Sequence, residues 1–198
     1  MIQYFTKEEI ERFSKEHNDI SSYDIPDEVY RTELIRQATN NNPFALFDLA
    51  DNYFEPHRGF KKDVSLGYAY FKKLNELTQY TYLSSVISRL YENDMYEEIA
   101  DEQIKSSELG FNKTNSFIEM LGGDDEIPAE KFYRNIFNIL YPIYVKRALD
   151  GSYGACLILS EIFKNDCWWS DDSCLQRKDI HLSDYFKQLA NKLKLSGL

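Results

Sequence analysis

The feature that most limits how this chain can fold is a joint that recurs along it. A small or apolar residue is followed three positions on by a helix-ending residue, and four further on by a second small residue. The pattern reads Ala38, Asn41, Ala45; then Leu74, Leu77, Thr81; then Ser107, Gly110, Thr114; then Ala148, Gly151, Ala155. Asn and Gly in the middle suit a helix C-terminus, where the backbone turns left-handed, and small flanks let two helices approach across the turn. Leu77 does not suit that position, so the second copy is the weakest. Successive joints begin 36, 33 and 41 residues apart, the range of a helix–turn–helix repeat. One such unit cannot cover its own apolar stripe. The pattern therefore predicts an all-α chain, a short superhelical array of stacked helix pairs.

Composition supports this. Eight glycines and five prolines in 198 residues leave few sharp turns for a many-stranded sandwich or barrel, while 15 Tyr and 13 Phe supply a core. Thr6 and Glu9 form a capping-box pattern, with Phe5 placed as its staple and Ile10 and Phe13 on one side of the helix. Residues 18–26 read as a loop, and a helix from Asp27 carries Val29, Leu34, Ile35 and Ala38. We expect one helical-repeat domain over 1–198, with a capping helix and loop over 1–26 and about four helix-pair units over 27–198.

The first and last units agree internally. Ala45, Leu49 and Tyr53 match Ala155, Leu159 and Phe163; Asp63 matches Asp179; Tyr70-Phe71 with Leu74 match Tyr185-Phe186 with Leu189. Phe163 to Asp179 spans 16 residues against 10 from Tyr53 to Asp63, so the last unit holds an insertion. Gly122-Gly123-Asp124-Asp125-Glu126 before Pro128 reads as a linker. The helix from Ala129, with Phe132, Tyr133, Ile136, Phe137, Ile139, Leu140, Ile143 and Tyr144, is apolar on most faces. It is expected to be central and kinked at Pro142.

The run from Arg36 to Tyr53, continuing to Asp63 and Tyr70-Phe71-Lys72-Lys73-Leu74, resembles a Sel-one-like repeat, a subclass of tetratricopeptide-type α/α repeats. Lys146-Arg147-Ala148-Leu149-Asp150-Gly151-Ser152-Tyr153-Gly154-Ala155 resembles that family's junction between repeats. The likeness covers roughly Asp27 to Ala190; the paired glycines of the family's intra-repeat turn are missing, with only Gly59 near their place. The resemblance implies adaptor or inhibitor work without chemistry, and small acidic members of this class look like bacterial immunity proteins that neutralise toxins.

A formal charge of −10 repels phosphate backbones, and no basic cluster offsets it, which argues against nucleic acid and anionic membrane as partners. A basic protein partner would be steered inward. The first residues hold no apolar signal core and no stretch reaches the length of a membrane span, so a cytoplasmic chain is expected. Three cysteines without C-x-x-C spacing read as reduced thiols, and His17, His57 and His181 stand far apart; neither a metal nor a cofactor is expected. Fingerprints of hydrolases, metalloproteases and nucleotide-binding loops are missing, so the chain reads as a non-enzyme.

Two stretches are candidates for partner contact. The insertion carries Trp168 and Trp169 beside Asp171 and Asp172, aromatic anchors ringed by acid, although such a segment could equally cap the end of an array. Glu92, Asp94, Glu97, Glu98, Asp101 and Glu102 place six acids in 11 residues, suited to a cationic partner or simply to a solvated face. The expected function is an immunity-type inhibitor of a basic toxin domain. The other reading is a regulatory scaffold joining cellular partners through its concave face at Tyr53, Tyr70 and Tyr91. Oligomeric state is left open.

Overall fold

The computed structural model describes residues 5–21, 24–110, 129–164, 167–170, 173–176 and 178–196, with backbone alone for 129–135 and for 167–170 and 173–176. Thr114 and the 122–128 linker lie outside the described residues, and the side chains of Phe132 and Tyr133 are likewise not described. What is described is helical apart from one short hairpin, in two compact units, 1–93 and 94–198.

The first unit holds α1 (Lys7–Asn18), α2 (Asp27–Thr39), α3 (Pro43–Phe54), α4 (Val64–Thr78) and α5 (Leu83–Glu92). Helix α3 is its hub, packing against α1, α2 and α4. Leu34, Ala38, Leu46, Leu49, Phe71 and Leu74 are fully buried between them. Helix α1 starts on its capping box: the Thr6 hydroxyl accepts the Glu9 N–H at 3.2 Å, and the Glu9 carboxylate accepts the Thr6 N–H at 2.7 Å. Phe5 packs edge-on against Phe13 at 5.3 Å, whereas Ile10 is exposed, so the α1 stripe is narrower than its sequence suggests. Polar groups complete the docking of α1. The Asn42 amide donates to the Phe13 carbonyl at 2.9 Å, the Gln37 amide donates to the Glu16 carbonyl at 2.8 Å, and His17 Nε2 lies 3.0 Å from the Asp48 carboxylate. On α2 the buried face is Tyr30, Leu34, Gln37 and Ala38, while Val29 and Ile35 face outward.

The second unit holds α6 (Tyr96–Glu108), α7 (Ala129–Leu149), α8 (Tyr153–Lys164), strands β1 (Cys167–Ser170) and β2 (Ser173–Gln176), and α9 (Ile180–Ser196). Here α8 is the hub, against α6, α7 and α9. Helix α7 runs unbroken through Pro142 and has two faces. Ile136, Phe137, Leu140, Tyr144 and Ala148 are buried, but Ile139 is exposed and Leu149 is 78% exposed. The expectation that this helix is central is corrected by that outer face. Gly154 sets the distance between α6 and α8, since a Cβ there would stand 2.5 Å from the Ile104 carbonyl oxygen.

The joints at Asn41 and Gly151 share one geometry. Both residues are left-handed, at φ 63° and 95°. The Asn41 N–H donates to Ala38 and the Asn42 N–H to Gln37, at 3.1 and 3.0 Å; the Gly151 N–H donates to Ala148 and the Ser152 N–H to Arg147, at 3.1 and 2.9 Å. This pair of bonds is the Schellman closure of a helix end. The next residue caps the following helix in each case: the Asn42 side chain accepts from Phe44 and Ala45, and the Ser152 hydroxyl accepts from Ala155.

The far ends also agree. The Asp63 N–H donates to the Tyr53 carbonyl at 3.0 Å and the Asp179 N–H to the Phe163 carbonyl at 2.8 Å, and each carboxylate caps its helix at Leu66 or Leu182, both at 3.0 Å. Four residues after each aspartate stands a small residue in close contact, Gly67 over Ala50 and Ser183 bonded to the Ser160 carbonyl at 2.8 Å. One register is corrected. Tyr53 stacks on Tyr70 (5.9 Å, 3°) and Phe163 on Phe186 (5.8 Å, 4°), so Tyr70 matches Phe186 rather than Tyr185, and Leu74 matches the buried Ala190 rather than Leu189. Strands β1 and β2 lie within the lengthened stretch between Phe163 and Asp179. Gly110 is left-handed at φ 75°, as its joint requires. Leu77 stays inside α4, and the turn falls instead on Gln79 and Tyr80, at φ 52° and 62°.

Gly67→Ala tests the close approach of α3 and α4. Alanine gains about 1 kcal/mol in helix propensity. Its Cβ would meet the Phe54 ring at 2.7 Å and the Ala50 carbonyl oxygen at 3.0 Å, and overpacking of this kind costs about 1–3 kcal/mol. A net loss is expected, seen as a Tm lowered by several degrees in calorimetry. Tyr144 tests the second core. Burial holds its hydroxyl well above the ordinary tyrosine pKa, and the hydroxyl donates to Gln103 Oε1. A raised folded pKa means stability is complete below about pH 10 and falls as pH rises from there. Tyr144→Phe should cost about 1–2 kcal/mol at neutral pH by orphaning the Gln103 acceptor, and should flatten the alkaline limb of urea unfolding followed by circular dichroism.

Candidate protein-binding surface

The acidic run is divided between the two units. Its first member, Glu92, ends α5 in the first unit, and the rest belong to the second. Asp94 sits in the turn between them at φ 56° and accepts the Tyr96 hydroxyl at 3.0 Å. On α6, Glu97 and Asp101 are exposed, one turn apart, and both accept from Arg147 of α7 at 3.2 and 3.1 Å. Glu98 is half-buried. Glu102 is 2% exposed on the inner face of α6 beside Gln103, so it offers no carboxylate to a partner. The reason is periodicity: residues 99, 100, 102 and 103 form the inner stripe of this helix, which leaves 97 and 101 outside.

In the first unit Glu92 joins a cluster that its sequence neighbours do not reveal. Arg89 donates to both oxygens of Asp51, at 2.5 and 3.2 Å, to Glu92 at 2.8 Å, and pairs with Glu55 at 3.2 Å. Half-burial alone would depress the guanidinium's pKa, but Glu92 and Asp51 outweigh it and hold the group above its ordinary value. Three carboxylates around one guanidinium leave a surplus of two negative charges, held in fixed positions. Asp51 and Glu55 carry the missed signal. Like charges four apart at a helix C-terminus repel each other and the helix dipole, and call for a cation between them.

The tryptophans fall on β1, an antiparallel partner of β2 in which Trp168 lies opposite Cys174 and Cys167 opposite Gln176. The two cysteines are therefore not cross-strand partners. The side chains of Trp168 and Trp169 lie outside the described residues, as do Asp171 and Asp172 altogether. Tyr53 and Tyr70 are half-buried in their stack, with Phe60 edge-on to Tyr53 at 5.6 Å, and Tyr91 is half-buried on α5. Among the described residues no group of three His, Cys, Asp or Glu side chains is placed to hold a metal ion, and no helix is long and apolar enough to cross a membrane. Comparison of the chain with protein-family models, with curated proteins and with solved structures returns no match.

Arg89→Ala should leave Asp51, Glu55 and Glu92 repelling one another without the cation that joins them. We expect a loss of about 1–3 kcal/mol that shrinks in 1 M salt as the carboxylates are screened. Arg147→Ala, whose partners are exposed, should cost less than about 1 kcal/mol. Denaturant titrations of both variants at two salt concentrations would check the order.

Proposed function

We propose that this chain is a non-enzymatic protein-binding module, an acidic immunity-type inhibitor that docks on and occludes a basic toxin domain. Its fold would be a degenerate array of stacked helix pairs of the Sel-one-like type. The observation that carries this reading is the surplus of surface carboxylate gathered around single arginines, Asp51, Glu55 and Glu92 on Arg89 and Glu97 and Asp101 on Arg147. Within a chain of charge −10, such clusters concentrate a field that speeds encounter with a cationic partner. Trp168, Trp169, Asp171 and Asp172 are the proposed aromatic and acidic anchors, with Asp94 and Glu98 as further acidic contacts.

The half-exposed stack of Tyr53 and Tyr70 favours a second reading, a regulatory scaffold joining cellular partners. It weighs less, because Phe163 and Phe186 make the same stack without hydroxyls. The stack is first a packing device.

The test starts from the product of the neighbouring reading frame, purified and mixed with this chain. A stoichiometric complex that rescues cells from that product supports the inhibitor. The variant carrying Glu55→Lys, Glu92→Lys, Glu97→Lys and Asp101→Lys should then slow association about tenfold or more at low ionic strength while changing dissociation far less. Unchanged association kinetics at low salt would sink the assignment, and several salt-resistant, substoichiometric partners would favour the scaffold.

A further inference from the structure

The outer face of α7 carries a groove of about 440 Å³, lined by Tyr141, Pro142, Val145, Lys146, Leu149 and Asp150. Leu149 and Pro142 are exposed, and Tyr141 and Val145 are half-buried. At about 100° per residue, Pro142 and Leu149 form the centre of this face. Tyr141 and Val145 then make one flank, and Lys146 and Asp150 the other. An apolar stripe left in water with charge along one side has the form of a contact surface.

The two charges on that flank have no local partner. Among the described residues neither Lys146 nor Asp150 makes an ion pair. Asp150 directly follows α7, whose C-terminal end is itself negative, and a lysine four positions before an acid is the poorer order for a pair along a helix. Arg147 is turned about 160° from Leu149 and is held by Glu97 and Asp101. One cation and one anion side by side favour neither a basic nor an acidic partner. They do fit a second copy of themselves. In an antiparallel helix pair related by a two-fold axis, like flank meets like flank and the order along it is reversed. With the axis beside position 148, Lys146 of each copy faces Asp150 of the other. Leu149 of each copy then lies against Val145 and Leu149 of the other.

We propose that the groove on α7 is an isologous contact between two copies of this chain, antiparallel, centred on Leu149 and closed by two reciprocal Lys146–Asp150 ion pairs. It is independent of the acidic clusters, since Arg147 and its two carboxylates lie on another side of the helix. The stretch from Tyr141 to Asp150 is about 15 Å long, which is short of a standard interface. Each copy also brings a charge of −10. The dimer is therefore weak, with a dissociation constant on the order of 100 μM.

Sedimentation equilibrium of the full chain, from about 10 μM to 1 mM, brackets that constant. A monomer–dimer equilibrium is expected at about 0.15 M salt, where the repulsion between copies is screened. Leu149→Ser should weaken it about tenfold or more and, being a surface change, leave the Tm within a few degrees. Lys146→Glu and Asp150→Lys should each weaken it about fivefold, because like charges then face each other twice. Mixing these two variants should restore association to the native strength or above, since the new acid at 146 in one chain faces the new base at 150 in the other. A chain that stays monomeric throughout would overturn the proposal. So would dimerisation indifferent to Leu149→Ser, or a mixture that associates no better than its two components alone.

Discussion

Each unit is organised by a pair of backbone closures around one hub helix. At the near end a left-handed residue, Asn41 or Gly151, lets two N–H groups return to the last turn of the preceding helix. At the far end an aspartate N–H is tied to the carbonyl of the aromatic residue near the hub's end, Tyr53 or Phe163. With both ends held, the direction of entry and exit no longer depends on what lies between aspartate and aromatic. That is why six extra residues can be accepted in the second unit, in the stretch that carries β1 and β2. Lengthening a flexible loop from 10 to 16 residues costs only about 0.4 kcal/mol in closure entropy. The hub, its caps and the aromatic stack behind it are left undisturbed.

What could be read from the sequence follows from this arrangement. Asn and Gly announce a left-handed turn because other residues meet a steric penalty there, so the joints at 41, 110 and 151 were visible. The turn at Gln79 and Tyr80 was not, since neither residue prefers that backbone. Tyr80 is 6% exposed, and its N–H closes on Asn75 at 2.9 Å, so packing overrides local preference. The Tyr-Phe dipeptides at 70–71 and 185–186 invited alignment by identity, yet the geometry aligns Tyr70 with Phe186. One position is a turn of about 100° on a helix, enough to move Tyr185 to a 56% exposed site. Helix α7 departs from its expected central place for a related reason: with so many apolar residues its pattern does not say which face is covered.

The acidic surface was legible in amount and not in arrangement. A run of carboxylates in sequence mixes residues on all sides of a helix, so Glu102 goes inside while Glu97 and Asp101 stay out. The organising partners are distant, Arg89 being 38 positions from Asp51 and Arg147 being 46 from Asp101. No local pattern encodes such pairs. Only the like-charge spacing of Asp51 and Glu55 hints that a cation must arrive from elsewhere.

On the proposed reading, that arrangement has a consequence for binding. A long acidic side chain free in solvent loses on the order of 1 kcal/mol of rotamer freedom when a partner fixes it. Glu55, Glu92, Glu97 and Asp101 are already held by a shared guanidinium, so part of that ordering has been completed before an encounter. Each cluster nevertheless keeps net negative charge, because one arginine neutralises one carboxylate and merely orients the others. Holding like charges together costs folded-state stability, and the buried hub helices supply it. The core of each unit thus supports a preorganised anionic cluster that the charge balance alone would disperse.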